Sequence, residues 1–280
     1  CNNFCTYCII PYARGRVRSL PLENAVEEAR KLAAEGYREI VVNGIEISSW
    51  GWEWHDGSCL RQLLAALCAA VPSVRIRLGS LEPRTIDEEF CKTLSGFENL
   101  CPQFHLSLQS GSDSVLRRMH RKYDSARYLQ SVELLHRYFP GCAVTTDLIV
   151  GFPGETEAEF EDTIRLIERV RYDALFTFIF SPRPGTPAAK MDDPTPKEEK
   201  NRRFDWLCAV QNQISQEIHQ AYVGRTMRVL VDGKDGELLT ARTEGGRLVR
   251  MSGPDCLLGQ FTDAKITGCT TWSLTGESVL

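Results

Sequence analysis

The sequence predicts an α/β chain: a partial, parallel (β/α)6 TIM-like barrel whose first strand lies upstream of Cys1, followed by a small antiparallel β-barrel. Three observations carry this reading. Helical and β-branched segments alternate five times between residues 22 and 180, as parallel strands joined by right-handed crossovers do. Each predicted strand runs directly into a loop rich in Gly, Ser, Pro and acidic or amide residues, at the end where such folds gather their ligands. After residue 221 the composition changes to short β-like runs cut by glycine turns, the spacing of a small barrel.

Taken in order, residues 22–35 read as a helix: Glu23, Glu27 and Glu28 come early, positions 26, 29, 32 and 33 share an apolar face, and Gly36 ends it. A strand is predicted over 38–43, a helix over 58–70, a strand over 74–78, a helix over 85–95 and a strand over 104–109. A long helical segment over 112–138, broken near Asp124, leads to a strand at 143–150; a helix at 156–169 leads to a strand at 174–180. The loops that follow the strands are Asn43-Gly44-Ile45-Glu46, Gly79-Ser80-Leu81-Glu82-Pro83, Gln109-Ser110-Gly111-Ser112, Gly151-Phe152-Pro153-Gly154-Glu155 and Ser181 to Pro187. Five such loops in phase describe the rim of one site. A polar helix over 197–221 precedes the small barrel, whose predicted strands are 227–231, 238–242, 248–250 and 261–268.

By the same phasing, the opening loop Cys1-Asn-Asn-Phe-Cys5-Thr-Tyr7-Cys8 needs a strand before it, so the chain is read as a fragment. Three thiolates within eight residues form a metal site. A structural zinc site would want a fourth ligand at similar spacing, and the next cysteine is Cys59. A cubane held by three cysteines keeps one iron open to bind something else. A zinc knuckle completed from elsewhere is the alternative.

The 280 residues, 42% hydrophobic, suffice for a full core and a second domain. The other eight cysteines are scattered singly, which excludes a secreted disulfide framework. No apolar run is long enough to span a bilayer and no signal segment opens the chain, so the expectation is a cytoplasmic protein without membrane contact. The formal net charge of −4 does not advertise a nucleic-acid binder. Locally, Arg14, Arg16 and Arg18 follow the cysteines, and Arg117, Arg118, Arg121, Lys122 and Arg127 crowd a second stretch; these are either phosphate contacts or solvated helix faces.

Four stretches, in order, resemble motifs of the radical S-adenosylmethionine (SAM) methylthiotransferases: the cysteine loop continuing through Ile9-Ile-Pro-Tyr-Ala-Arg-Gly15, Leu108-Gln-Ser-Gly-Ser-Asp113, Val150-Gly-Phe-Pro-Gly-Glu-Thr156 and Phe180-Ser-Pro-Arg-Pro-Gly-Thr-Pro-Ala188. The small barrel resembles the RNA-binding TRAM domain. The division implied is a radical SAM core over 1–221 and a TRAM-like domain over 222–280. Ile10-Pro-Tyr-Ala-Arg-Gly-Arg-Val-Arg-Ser19 and His105-Leu-Ser-Leu-Gln-Ser-Gly111 most resemble the branch called MtaB, which methylthiolates threonylcarbamoyladenosine at position 37 of tRNA. The sister branch acting on isopentenyladenosine is the alternative.

The resemblance implies a 4Fe-4S cluster on Cys1, Cys5 and Cys8, with SAM chelated at the open iron and cleaved by one electron to methionine and a 5′-deoxyadenosyl radical. It implies that Tyr7, Asn43, Gly44 and Glu46 line the methionine end, that Ser80, Glu82 and Gln109 bond amino acid or ribose groups, that Arg121 pairs with the carboxylate, and that Ile149, Gly151 and Phe180 border the adenine. Beyond the cluster no catalytic residue is assigned. The partners implied are the anticodon loop of tRNA and an electron donor such as flavodoxin or ferredoxin. Family members carry a second 4Fe-4S cluster in an amino-terminal domain, which the sequence given lacks, so full turnover is not expected of it. One local departure stands out: the acid expected near the adenine strand falls on Gly154, with Glu155 one place late.

Overall fold

The computed structural model describes residues 1–279. Chain order is α1 (Ile10–Arg14), α2 (Leu22–Ala34), β1 (Glu39–Val42), α3 (Leu60–Ala70), β2 (Arg75–Leu78), β3 (Ser80–Leu81), α4 (Glu88–Leu94), β4 (Gln103–Leu106), α5 (Asp113–Arg118), α6 (Ser125–Tyr138), β5 (Ala143–Val150), α7 (Glu157–Val170), β6 (Ala174–Ile179) and α8 (Lys197–Gln220), then β7 (Thr226–Asp235), β8 (Leu238–Thr243), β9 (Leu248–Ser252), β10 (Phe261–Cys269) and β11 (Leu274–Val279).

Every pairing in the first half is parallel: β1 with β2, β3 with β4, β4 with β5 and β5 with β6. The strand read over 74–78 continues past a break at Gly79, where a Cβ would come within 2.5 Å of Asn43 Oδ1. The predicted long helix over 112–138 is two helices, interrupted from Met119 to Asp124. Asp124 caps the second by accepting the Arg127 N–H at 2.8 Å.

Alternation along the strands decides what faces where. Ile76, Leu78, Phe104, Leu106, Val144 and Leu148 are buried in one core with the apolar faces of α3, α4, α6 and α7. The intervening positions, Val41, Arg77, His105, Thr145, Asp147 and Phe176, line a cavity of about 890 Å³ on the concave face.

The carboxyl-terminal unit is a closed barrel of five strands in the order β10-β11-β9-β8-β7, around Val229, Val231, Leu239, Ala241, Val249, Met251, Ala264, Ile266 and Leu274. Two features correct the sequence reading: β11 was not expected, and its pairing with β9 is parallel, so the barrel is not wholly antiparallel. Its β8–β9 hairpin sits at the amino ends of the sheet. Arg75 donates to Arg242 O (3.2 Å) and Arg77 to Glu244 O (3.0 Å) and Thr243 O (3.2 Å), while Arg247 pairs with Asp173. Glu39 holds both sheet arginines, at 2.7 Å from Arg75 and 3.0 Å from Arg77. Among the described residues no helix is long and apolar enough to cross a membrane.

Candidate functional site

The cysteine loop lies over the carboxyl ends of β4, β5 and β6, and the backbone around it explains why it stays there. The Thr6 N–H donates to Met119 O (3.1 Å), its hydroxyl to Arg118 O (2.8 Å), and its carbonyl accepts from Ala188 N–H (2.8 Å). Phe4 adopts a left-handed conformation (φ 50°), and its carbonyl stands 3.2 Å from His120 Nδ1. A non-glycine residue held there stores local strain, and the strain falls beside Cys5. Cys5 is buried, while Cys1 and Cys8 are half-buried; all are free thiols.

Tyr7 and Arg121 form the inner wall. Arg121 uses four of its five N–H donors: Nη1 stands 3.4 Å from both Cys5 Sγ and Tyr7 Oη, Nη2 donates to Ser107 O (3.0 Å) and Nε to Tyr123 Oη (2.7 Å). Burial alone would lower its pKa, but Tyr123, Tyr7 and Cys5 outweigh this and hold the guanidinium well above its ordinary value. Burial raises the Tyr7 phenol, with Arg121 opposing. Tyr7 and Ile149 pack on a small cluster of Val115, Met119, Phe152, Phe180 and Ala188. Gln109 joins it from the next strand end: its N–H donates to Asp147 O (2.8 Å), its carbonyl accepts from Ile149 N–H (2.9 Å), and its φ is 74°.

The structure thus brings Cys5, Tyr7, Gln109, Arg121, Ile149 and Phe180 together. Asn43, Gly44 and Glu46 sit elsewhere on the rim, sharing a cavity of about 520 Å³ with Cys1. Glu46 Oε1 is buried there without a hydrogen-bond partner, an acceptor left unsatisfied by the protein itself. Ser80 borders the concave-face cavity beside Asn43. Glu82 is buried but engaged, accepting from Arg84 Nε at 2.9 Å while its own N–H donates to Ser48 Oγ at 2.8 Å. Gly151 (φ 67°) is packed by Lys200, whose Cγ would lie 2.6 Å from an added Cβ. The late acid Glu155 turns back on its own loop, accepting the Gly151 N–H at 2.7 Å, with Arg203 at 3.5 Å. Burial pushes its carboxyl up to about 7 against both of those contacts.

Sequence reasoning missed the concave face. His105 stands 3.0 Å from Thr145 Oγ1 and 3.1 Å from Asp147 Oδ2, and its ring lies 5.6 Å from that of Phe176. The period-two alternation of β4, β5 and β6 could have found this group, because positions 105, 145, 147 and 176 all fall on one face.

The three-cysteine loop suits a cubane better than a single ion. Among the described residues no three His, Cys, Asp or Glu side chains converge closely enough to hold one metal ion. The donor set itself is three thiolate-forming side chains on one loop, Cys1, Cys5 and Cys8, one for each of three irons of a cubane.

A family model described as Radical SAM superfamily matches residues 1–167, and one described as TRAM domain matches residues 220–279. Over its whole length the chain is 41% identical to the tRNA-2-methylthio-N(6)-dimethylallyladenosine synthase of Clostridium botulinum (strain Langeland), covering 63% of it. It is 39% identical to the synthase of the same name from Acetivibrio thermocellus, covering 59%. The chain therefore spans about three fifths of the length of these relatives. Among solved structures, coproporphyrinogen III oxidase from Escherichia coli superposes with a TM-score of 0.57 at 13% identity, over 87% of this chain and 64% of that one. Methylornithine synthase superposes at 0.52 and 15% identity, over 75% and 60%; these two share the fold. With the cysteine loop at the carboxyl ends of a parallel sheet and the family match running through all but the last strand of that sheet, the chain belongs to the radical SAM superfamily.

Proposed function

We propose that the protein is a tRNA methylthiotransferase acting on dimethylallyladenosine, with residues 1–221 as its SAM-cleaving core and 222–280 as its RNA-binding unit. The superfamily's cofactors are a 4Fe-4S cluster and SAM, and the residues fit both. Cys1, Cys5 and Cys8 would hold the cluster, and Glu46, with its unpartnered buried oxygen, would take the amino group of SAM beside Asn43 and Gly44. Tyr7, Gln109, Ile149, Gly151 and Phe180 would border its nucleoside, with Ser80 and Glu82 on the same rim. When bound, the cluster supplies the electron that cleaves SAM reductively. The chain's own residues position and desolvate: the buried wall of Tyr7, Phe152 and Phe180 keeps water from the cleavage site.

The substrate rests on the relatives' names and on one observation, the character of the concave-face cavity. Its apolar wall includes Val41 and Phe176, both more than half exposed into it. Its three arginines, Arg77, Arg242 and Arg247, already have acidic partners in Glu39, Asp232 and Asp173. A dimethylallyl group suits such a wall, whereas threonylcarbamoyl brings a carboxylate that needs a cation of its own. The threonylcarbamoyl substrate expected from the motifs alone therefore gives way to the sister substrate.

The test is anaerobic reconstitution with iron and sulfide, followed by SAM and reductant. Stoichiometric sulfide and 5′-deoxyadenosine, both lost in Cys5→Ala, are expected, together with tighter binding of anticodon stem–loop RNA carrying dimethylallyladenosine than of the threonylcarbamoyl form. Bound zinc without sulfide would sink the enzyme reading, and the reverse RNA preference would sink the substrate.

A further inference from the structure

The most exposed large apolar side chain among the described residues is Trp272, at 76%. It stands on the turn between β10 and β11 and lines the concave-face cavity together with Phe176 of the sheet.

Its backbone is fixed while its indole is free. Thr270 Oγ1 accepts the N–H groups of Trp272 (3.2 Å) and Ser273 (3.0 Å), Thr270 N–H donates to Ser273 O (2.8 Å), and His219 Nδ1 of α8 stands 2.8 Å from Thr270 O. A rigid turn that displays an indole to water at the mouth of a cavity is a preformed contact surface, since large exposed aromatics are a binding signal rather than a packing solution.

Charge identifies what it contacts. Residues 222–280 carry seven basic and seven acidic side chains, and Lys234, Arg242, Arg247 and Arg250 are already paired with Asp255, Asp232, Asp173 and Asp235. Arg225, Arg228 and Lys265 stand in no ion pair among the described residues, but Glu237, Glu244, Asp263 and Glu277 balance them, so the unit offers no net excess of the cations that a phosphate-neutralising surface needs. Single-stranded nucleic acid is also held by stacking of bases on aromatic faces, a contact that is tolerant of sequence and is not itself a charge pair.

We propose that Trp272 is the stacking platform for an unpaired base next to the target nucleotide, so that the carboxyl-terminal barrel holds the RNA loop at the cavity mouth while the target base enters beside Phe176. This rests on the tRNA reading above, and a protein partner for the indole is the competing outcome.

Anticodon stem–loop RNA carrying dimethylallyladenosine, titrated by fluorescence anisotropy into the reconstituted protein at several salt concentrations, decides it. Trp272→Ala should weaken binding by about ten- to a hundredfold, the value of one base–aromatic stack. Trp272→Phe should restore most of the affinity. The ratio of wild-type to Trp272→Ala affinity should stay constant as salt rises, because a lost phosphate contact would shrink with salt and a lost stack would not. SAM cleavage without RNA should be unchanged, which separates a lost contact from a damaged fold. Undiminished RNA affinity in Trp272→Ala overturns the assignment and turns the indole toward a protein partner; equal losses in the Ala and Phe variants, or a loss that vanishes at high salt, overturn it as well. A wild-type protein that binds no RNA overturns the tRNA reading itself, a result distinct from any of these.

Discussion

Arg121 Nη1 stands 3.4 Å from Cys5 Sγ, closing a path from the loop after β4 to the buried member of the cysteine trio. Tyr7, Tyr123 and the Ser107 carbonyl take three more of its five N–H donors, so the guanidinium holds the Cys5 sulfur with one Nη2 N–H left over. Hydrogen bonds to ligand sulfur stabilise the more negative, reduced state of a cluster. Arg121→Gln should therefore lower the reduction potential of the reconstituted cluster by roughly 60 mV or more, the one-electron equivalent of a tenfold change. An electron paramagnetic resonance redox titration measures it, and an unchanged potential would remove Arg121 from this role.

Glu39 holds Arg75 and Arg77 at the amino ends of the sheet, and the same two arginines donate to three carbonyls of the β8–β9 hairpin. Burial works against the ionised Glu39 carboxyl, but the two guanidiniums outweigh it and hold its pKa below the ordinary range. Glu39→Ala leaves two buried guanidiniums without their counter-ion, a loss of about 3–5 kcal/mol. Calorimetry should show the single unfolding transition dividing into two as the small barrel uncouples from the sheet. A single transition at the wild-type temperature would mean that the hairpin docks by shape alone.

Most of the first half was legible because its signals are local. Helix ends carry their own caps, as at Asp87, Asp124 and the Thr156–Glu159 capping box, and the loops after the strands announce themselves by composition. The contacts of Arg121 with Cys5 and Tyr7 were not legible, because they join residues more than a hundred positions apart through geometry that no spacing encodes. The Arg75–Glu39–Arg77 latch was hidden for another reason: a strand with alternating Arg and apolar residues does not say what its arginines face, and here they face Glu39 and the β8–β9 hairpin. The last strand went unread because Leu274–Val279 mixes Thr, Gly, Glu and Ser, leaving little β signal; its pairing with β9 and β10 supplies what propensity does not. Trp272 was visible in the sequence as a residue but not as an exposed one.

Gly151 sits at φ 67°, and a Cβ there would stand 2.6 Å from Lys200 Cγ and 2.7 Å from its Cδ. Lys200 cannot simply swing away, because it is buried and paired with Asp193. Gly151→Ala should therefore cost the left-handed penalty of about 1–2 kcal/mol and displace α8 from the loop. The expected result is a lower unfolding midpoint in denaturant together with weaker SAM binding by calorimetry. Unchanged stability would show that the loop relaxes freely.

Glu155 supplies a pH test whose sign follows from burial. Its carboxyl is raised to about 7 in the folded chain, above the value of about 4.3 expected when unfolded. A raised carboxyl binds its proton more tightly in the folded state, so its contribution to stability is complete below pH about 4 and is lost as pH rises through 7. The shift corresponds to a loss on the order of 3 kcal/mol across that window. Glu155→Gln keeps an oxygen for the Gly151 N–H but removes the titration. Relative to wild type, the variant should gain stability as pH rises from 5 to 8, read by urea unfolding at each pH. Parallel stability curves for the two proteins over that range would show that Arg203, 3.5 Å away, keeps the carboxylate ionised throughout, and that the late acid of this loop is a permanent ion-pair partner rather than a buried proton carrier.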